Sequence, residues 1–405
     1  LLDKFKKMEQ LSDNKNIPNH WQLKKLGEVC IYSKGKKPAA LKATKTNDCA
    51  VPYINIKAFE KGIISEYTNG EKCNICNDDD LLMVWDGARC GLIGKAKKGA
   101  VGSTLMKILP KENIHKEYLY HFIGSKFRTL NTKPKGVGIP HIEPTLLWNF
   151  ELVVPPLPEQ LAIVSKIEEL FSELDNGVAQ LKTAQQQLKV YRQSLLKWAF
   201  EGKLTNKNVK NGELPKGWKR TTLGKLISIS SGNGLSRNSR NNEGEYLVYG
   251  GNGVTGKHTE YLFENEQLII GRVGVHCGNA HVTKPKSWVT DNAFVVSYDE
   301  NEVSNYFLFH LIKVLNLNKY SVSTAQPVIS QGKLYPIEVS FPPIEEQQLI
   351  VSELESKLTV CDKIEETISQ SLQQAETLRQ SILKKAFEGK LVNTTVKTVK
   401  STAAV

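Results

Sequence analysis

A stretch of about 50 residues occurs twice in this chain, and that duplication constrains the architecture more than any single motif. Pro155 to Leu204 aligns without a gap on Pro342 to Leu391, at a constant offset of 187, with roughly 22 identities. Both copies open on Pro-Pro (Pro155-Pro156, Pro342-Pro343) and pass through Glu-Gln (Glu159-Gln160, Glu346-Gln347). Both close on Ala-Phe-Glu-Gly-Lys-Leu (Ala199 to Leu204, Ala386 to Leu391). A repeat of this kind implies two equivalent halves and two equivalent partner surfaces.

Each copy is predicted as one long helix. Pro-Pro suits a helix start, where no backbone N–H is needed. Glu159 and Glu345/Glu346 put negative charge at the positive end of the dipole. In the first copy Ile167, Leu174, Leu181, Leu188 and Leu195 fall seven apart, with Leu170, Ala184, Tyr191 and Trp198 at the second heptad position and Gly177 as the weak point. In the second copy Leu354, Cys361, Ile368, Ala375 and Ile382 take the first position, Ile364 and Leu378 the second, and Lys357 and Lys385 break the pattern. Gly202 and Gly389 are natural C-terminal caps. Sustained heptads call for a coiled-coil partner, and each copy is the other's nearest candidate. About 40 residues at 1.5 Å rise give a rod of roughly 60 Å, longer than a globular core needs.

A variable segment precedes each helix. Both begin on Trp-x4-Leu-Gly (Trp21, Leu26-Gly27; Trp218, Leu223-Gly224). Near their ends Ile139-Pro140-His141-Ile142 corresponds to Gln326-Pro327-Val328-Ile329. Between, Leu81 to Gly91 resembles Leu268 to Gly278, and Tyr118 to His121 resembles Phe307 to His310. Short β-rich runs broken by Gly, Asn and Pro indicate a small mixed sheet with one helix or two. The order is an extension at 1–20, a variable domain at 21–154, a helix at 155–204, a polar linker at 205–217, a variable domain at 218–341, a helix at 342–391 and a tail at 392–405. Leu1 to Phe5 weakly matches Leu195 to Phe200, a helix-end remnant, and a start on Leu rather than Met suggests a longer or processed polypeptide.

The chain carries 54 Lys and Arg against 42 Asp and Glu, net +12, which favours a polyanionic partner. No apolar run is long enough to cross a bilayer, and seven cysteines without framework spacing fit a reducing cytoplasm. Catalytic motifs are near-misses. Gly251 to His258 falls one residue short of a phosphate loop and puts His258 where Ser or Thr would hold magnesium. Cys73-x2-Cys76 has no second pair to complete a zinc site. Glu201-Gly202-Lys203 and Glu388-Gly389-Lys390 resemble a nuclease Glu-x-Lys but fit helix caps better. No catalytic residue and no metal ligand is assigned.

The Pro-Pro-x-x-Glu-Gln starts, the Ala-Phe-Glu-Gly-Lys-Leu ends, the Trp-x4-Leu-Gly openings and Tyr249-Gly250-Gly251-Asn252-Gly253 together resemble the specificity subunit of type I restriction-modification systems. The resemblance covers essentially the whole chain. It implies an α+β fold: two globular mixed α/β target-recognition domains joined by two long antiparallel helices in a pseudo-twofold arrangement. It implies a non-catalytic subunit that reads a split double-stranded DNA target and recruits two adenine methyltransferase (modification) subunits, and through them restriction and translocase subunits. No cofactor is expected in this chain; the complex would use S-adenosylmethionine, with ATP and Mg2+ for restriction.

Base readout needs Arg, Lys, Asn or Gln on loops, and phosphate contact uses Lys and Arg. The first-domain candidates are Lys34, Lys36, Lys37, Arg89, Lys95, Lys97 and Lys98. The second-domain candidates are Arg237, Arg240, Asn252, Lys257, Arg272, His276 and Asn279. On the helices Arg192, Gln193 and Phe200, with their equivalents Arg379, Gln380 and Phe387, are candidates for docking the modification subunits. A non-catalytic coiled-coil scaffold binding only protein is the competing reading, and salt-dependent DNA binding separates the two.

Overall fold

A computed structural model describes residues 18, 20–134, 138–206, 208–210, 212–236, 244–322 and 327–392. The first variable segment gives β1 (Gln22–Lys25), α1 (Leu26–Val29), β2 (Cys30–Lys34), β3 (Val51–Ile54), α2 (Ile56–Lys61), β4 (Tyr67–Thr68), β5 (Ile75–Cys76), β6 (Leu81–Val84), β7 (Ile93–Lys95), β8 (Gly99–Val101), β9 (Leu105–Pro110), α3 (Lys116–Ser125), α4 (Phe127–Thr132), α5 (Pro144–Trp148) and β10 (Glu151–Val154). The long helix α6 (Leu157–Phe200) follows. The second segment gives β11 (Lys219–Thr222), α7 (Leu223–Leu226), β12 (Ser228–Ser231), β13 (Tyr246–Gly250), β14 (Gly253–His258), β15 (Leu268–Gly271), β16 (Ala280–Val282), β17 (Ser287–Val289), β18 (Ala293–Ser297), α8 (Asn305–Leu315), a 3-10 turn (Leu317–Tyr320), α9 (Gln331–Leu334) and β19 (Glu338–Phe341). The second long helix is α10 (Ile344–Phe387).

The chain divides into two compact units. One joins the residues up to Gln180 with those from Ser371 onward; the other is Leu181–Gln370. Each unit therefore holds one variable domain, the first half of the helix that follows it and the second half of the other helix.

In the first unit the central sheet β2-β9-β6-β7 is antiparallel. All four residues of β6 are buried, because successive side chains point to opposite faces and both faces are covered. Leu81 and Met83 join the larger core with Tyr118 and Phe122 of α3, Ile163 and Ile167 of α6, and Ile382, Leu383 and Ala386 of α10. Leu82 and Val84 join a smaller core with Ile54 and Val101 of the second sheet, β4-β3-β8-β5. The second unit repeats this layering. Leu268 and Ile270 of β15 meet Phe307 and Leu308 of α8, Leu195 and Ala199 of α6, and Ile350 and Leu354 of α10. Ile269 faces Tyr249 and Val289 of the sheet β14-β13-β17.

The paired motifs are joints of this frame. β1 pairs antiparallel with β10, and β11 with β19, so each domain closes beside its own start before entering its helix. Leu26 is fully buried and its N–H donates to the Phe150 carbonyl; Leu223 is likewise buried and donates to Ile337. Trp21 Nε1 donates to Glu159 Oε2 at 2.8 Å, at the start of α6. The same indole lies 3.1 Å from where a side chain would begin at Gly389, the positive-φ residue that ends α10. In the second unit Trp218 takes the matching place, 3.3 Å from the corresponding point at Gly202, which ends α6.

Within each unit the two helix segments run in opposite directions. In the first, the start of α6 at Glu159 and the end of α10 at Gly389 meet at Trp21, while further along α6 Asp175 pairs with Arg379 of α10. In the second, Glu346 at the start of α10 accepts from Thr205 just past α6, and Arg192 pairs with Asp362. The first expected heptad position holds to the end, with Leu188 and Leu195 both buried, but beyond Leu188 the second position slips. Tyr191 and Trp198 are 44% and 41% exposed, and their neighbours Arg192 and Ala199 turn inward instead. α10 slips at the equivalent place, leaving Leu378 exposed and turning Arg379 inward. Ile364 is also exposed.

Candidate nucleic-acid interface

One turn is built twice, bond for bond. In the first unit β6 runs through Trp85 and Asp86 into Gly87-Ala88-Arg89-Cys90-Gly91 before β7. Gly87 N–H donates to the Pro140 carbonyl (2.7 Å), Cys90 to Gly87 (3.0 Å), Gly91 to Val84 (2.8 Å), Leu92 to Arg89 (3.1 Å) and Ile142 to Trp85 (3.0 Å). The second unit makes the same bonds. Gly274 donates to Pro327 (2.8 Å), Cys277 to Gly274 (2.9 Å), Gly278 to Gly271 (2.7 Å), Asn279 to His276 (3.2 Å) and Ile329 to Arg272 (3.0 Å).

A side-chain amide cradles each turn from below. Asn131 Nδ2 donates to the carbonyls of Ala88 (2.9 Å) and Cys90 (3.2 Å). Asn318 Nδ2 donates to those of Val275 (3.3 Å) and Cys277 (3.1 Å). Gly91 and Gly278 have φ of 91° and 87°, and a Cβ there would come within 2.7 Å of Leu130 or 2.6 Å of the Asn318 backbone, so only glycine fits. Cys90 and Cys277 are fully buried under the turn, and burial pushes the Cys90 thiol up.

The structure gathers some of the expected DNA-contacting residues around these turns and disperses others. Lys34 pairs with Asp86 at 2.9 Å, at the turn's entry, and Arg89 at its tip pairs with Glu60 of α2. Lys36, Lys37, Lys97 and Lys98 are exposed, with Lys97 Nζ beside Gly62 at the end of α2. Lys95 is drawn instead to Glu117 of α3 at 3.0 Å, and that hydrogen bond raises its pKa. In the second unit Arg272, His276 and Asn279 all belong to the duplicated turn. Arg272 reaches Ser231 Oγ at 3.3 Å and lies over the Phe294 ring, so it serves as a strut. Gly251 packs its backbone against Gly271 and Val273, which sets exposed Asn252 beside the turn. Lys257 is exposed on β14. The Gly251–His258 stretch is the β13–β14 hairpin, not a phosphate loop. Arg237 and Arg240 lie outside the described residues.

The helix candidates divide differently. Arg192 Nη2 pairs with Asp362 at 2.6 Å and Glu365 at 3.0 Å. Its equivalent Arg379 pairs with Asp175 and lies over the Phe171 ring. Asp175 and Asp362 are themselves equivalent in the repeat, so one bond is made twice. Phe200 packs on Phe307, and Phe387 on Tyr118 and Phe122. Of the six, Gln193 and Gln380 are exposed. Of the exposed apolar side chains on α6 and α10, Tyr191, Trp198, Ile364 and Leu378 stand at expected seam positions, while others such as Leu161, Val190, Leu349 and Val360 have no signal in the sequence. The cradle residues Asn131 and Asn318 were also missed, although they too stand at the offset of 187.

Among the described residues no cluster of His, Cys, Asp or Glu is placed to hold a metal ion, and no helix is long and apolar enough to cross a membrane.

Residues 18–185 and 215–374 match the family described as type I restriction modification DNA specificity domain. The chain belongs to this family. It is 25% identical over 423 residues to the type I restriction enzyme MjaVIII specificity subunit of Methanocaldococcus jannaschii, covering 96% of each chain. It is 25% identical over 424 residues to the StySPI specificity subunit of Salmonella potsdam, covering 93% of this chain and 90% of that one. The fold is similar to a chain solved in work on complex assembly and conformational transition of the type I R-M system, with TM-score 0.74 at 20% identity over 93% of this chain and 99% of that one. The HsdS subunit of Thermoanaerobacter tengcongensis gives 0.59 at 20% identity over 92% and 98%. As a member of the specificity family the chain recognises DNA sequence through two domains within a type I restriction-modification system, and it is the non-catalytic component.

Proposed function

We propose that this chain reads an asymmetric, bipartite DNA target, one half-site per variable domain, and recruits two adenine methyltransferase subunits, and through them the restriction subunits. The observation that carries the reading is the duplicated turn: two domains share one hydrogen-bonded frame and present different side chains from it. Different tips on one frame suit two different half-sites. The net charge of +12 supplies the phosphate attraction that any DNA reader needs.

Recruitment of the same partner twice is supported by the duplicated helices. Gln193 and Tyr191 on α6, and Gln380 and Leu378 on α10, are equivalent exposed positions. Exposed large apolar side chains on otherwise polar helices favour a protein partner. S-adenosylmethionine, ATP and Mg2+ belong in this reading to the partner subunits.

The test is a domain exchange. Replacing residues 218–341 with the matching segment of a relative, in a complex that still methylates, should change one half of the methylated motif and leave the other half intact. A swap that scrambled both halves would mean that the domains read DNA jointly. A chain whose complex bound DNA without salt dependence or sequence preference would instead be a protein scaffold.

A further inference from the structure

We propose that the two residues at the tip of each duplicated turn, Ala88-Arg89 in the first unit and Val275-His276 in the second, enter the major groove and set base identity in their half-sites. The proposal rests on the DNA-reading function above and names the side chains that perform it.

The argument is the division of labour within the turn. Gly87, Cys90, Gly91, Asn131, Pro140 and Ile142 constrain its backbone, and their equivalents Gly274, Cys277, Gly278, Asn318, Pro327 and Ile329 are the same residue types. Between Gly87 and Gly91, and between Gly274 and Gly278, only the tip differs, Ala-Arg against Val-His, and all four tip residues are exposed. Their carbonyls are held, by Asn131 and Asn318 or by the backbone, while their side chains point away from either core. Val275 is 80% exposed, with its carbonyl held by Asn318 and the turn closed by the Cys277-to-Gly274 and Gly278-to-Gly271 bonds. An apolar side chain held rigidly in water costs solvation and gains nothing for the fold, so a surface that covers it is the economical explanation.

The side-chain chemistry fits base edges. Arg89 gives one N–H to Glu60, which fixes the rotamer, and a guanidinium has five donors, so a fork remains for guanine N7 and O6. Val275 suits the thymine methyl, and a His276 ring N–H suits a purine N7. The flanking Lys34, paired at Asp86, sits where a phosphate contact would orient the tip.

The experiment transplants one tip. The double variant Ala88→Val/Arg89→His, assembled with the methyltransferase subunits, is expressed in cells and the methylated motif is read by sequencing genomic DNA. One or two adjacent positions should change in a single half-site, with the other half-site and the spacer kept. An unchanged motif in an active complex overturns the proposal while leaving the two-domain reading standing. Changes in both half-sites overturn that reading itself. If methylation is lost, Arg89→Ala is compared in DNA competition on the assembled complex. A loss of roughly ten- to hundredfold confined to cognate DNA upholds base readout. An equal loss on cognate and random duplexes marks Arg89 as a phosphate contact and overturns the assignment.

Discussion

Gln160 and Gln347 explain why a Glu-Gln pair opens both helices. Each is fully buried, and each is saturated: Gln160 accepts from His115 N–H and donates to the carbonyls of Asn113 and Pro155, all at 2.8 Å. Gln347 does the same for Ser304, Glu302 and Pro342. The side chain locks the loop before the domain's main helix onto the start of the long helix. Gln347→Ala would strand a buried N–H and two carbonyls, at roughly 1–3 kcal/mol for each group left dry. We expect a net loss of about 3 kcal/mol, seen as a lower denaturation midpoint of the unit. A loss below about 1 kcal/mol would mean that water replaces the amide. His121 is the second residue-scale test. It is buried among Tyr120, Phe171, Glu117, Lys95 and Arg379, its Nε2 has no partner among the described residues, and burial lowers its pKa to about 4 from 6.5. The unfolded chain therefore binds that proton more tightly. Stability is whole above about pH 6.5 and falls as pH drops through the window down to 4, by about 3 kcal/mol in all. Urea titrations across that window should show a shallower pH slope in His121→Leu than in the native chain; equal slopes would place the proton uptake elsewhere.

At the scale of elements, the two long helices are held by apolar residues and by one repeated ion pair. Arg192 and Arg379 are docking candidates in the sequence because they are equivalent positions of the duplicated helices. The slip after Leu188 turns them inward, toward Asp362 and Asp175. Charge reversal Arg192→Glu should thus weaken the helix pair before it touches any partner. With Asp362 and Glu365 mostly exposed, the cost is about 1 kcal/mol, and Asp362→Arg in the same chain should recover part of it. Additive losses in the double variant would rule out the pairing. Gly177 offers the opposite sign. Its site is in mid-helix with open space where a Cβ would go, so Gly177→Ala should raise stability by roughly 1 kcal/mol. The repeat made the helices and their caps legible, because helix period, Pro-Pro and cap glycines are local signals. The slip was not legible, since nothing local distinguishes Tyr191 from Arg192 as the inward residue; the choice is made by Asp362, 170 residues away in the chain. The turn's frame was half legible. Its glycines and cysteine stood out, but Asn131 and Asn318 act through side chains on separate elements, and only following the offset of 187 through the diverged middle would have found them.

For the whole molecule, the consequence of the duplication is that neither variable domain owns a complete core. The first unit completes its core with Ile382, Leu383, Ala386 and Phe387 from the end of α10. The second completes its own with Leu188, Leu195, Ala199 and Phe200 from the end of α6. At about 1.5–3 kcal/mol for each large apolar side chain, the borrowed residues supply roughly 6 kcal/mol to each unit. That is comparable to the entire net stability of an ordinary domain. A chain divided after Lys210, in the polar segment between α6 and β11, separates each domain from the helix end it borrows. Co-expressed, the two fragments should associate and co-purify through a tag on either one, because each carries the piece that the other unit lacks. Expressed singly, each should expose the apolar face that the missing segment covers, and should be recovered aggregated or as a self-associated species rather than as a folded monomer. Size-exclusion chromatography with light scattering decides this. A fragment that ran as a monomer with a cooperative thermal transition would show that its domain is self-sufficient, and the shared-core account of the fold would have to be abandoned.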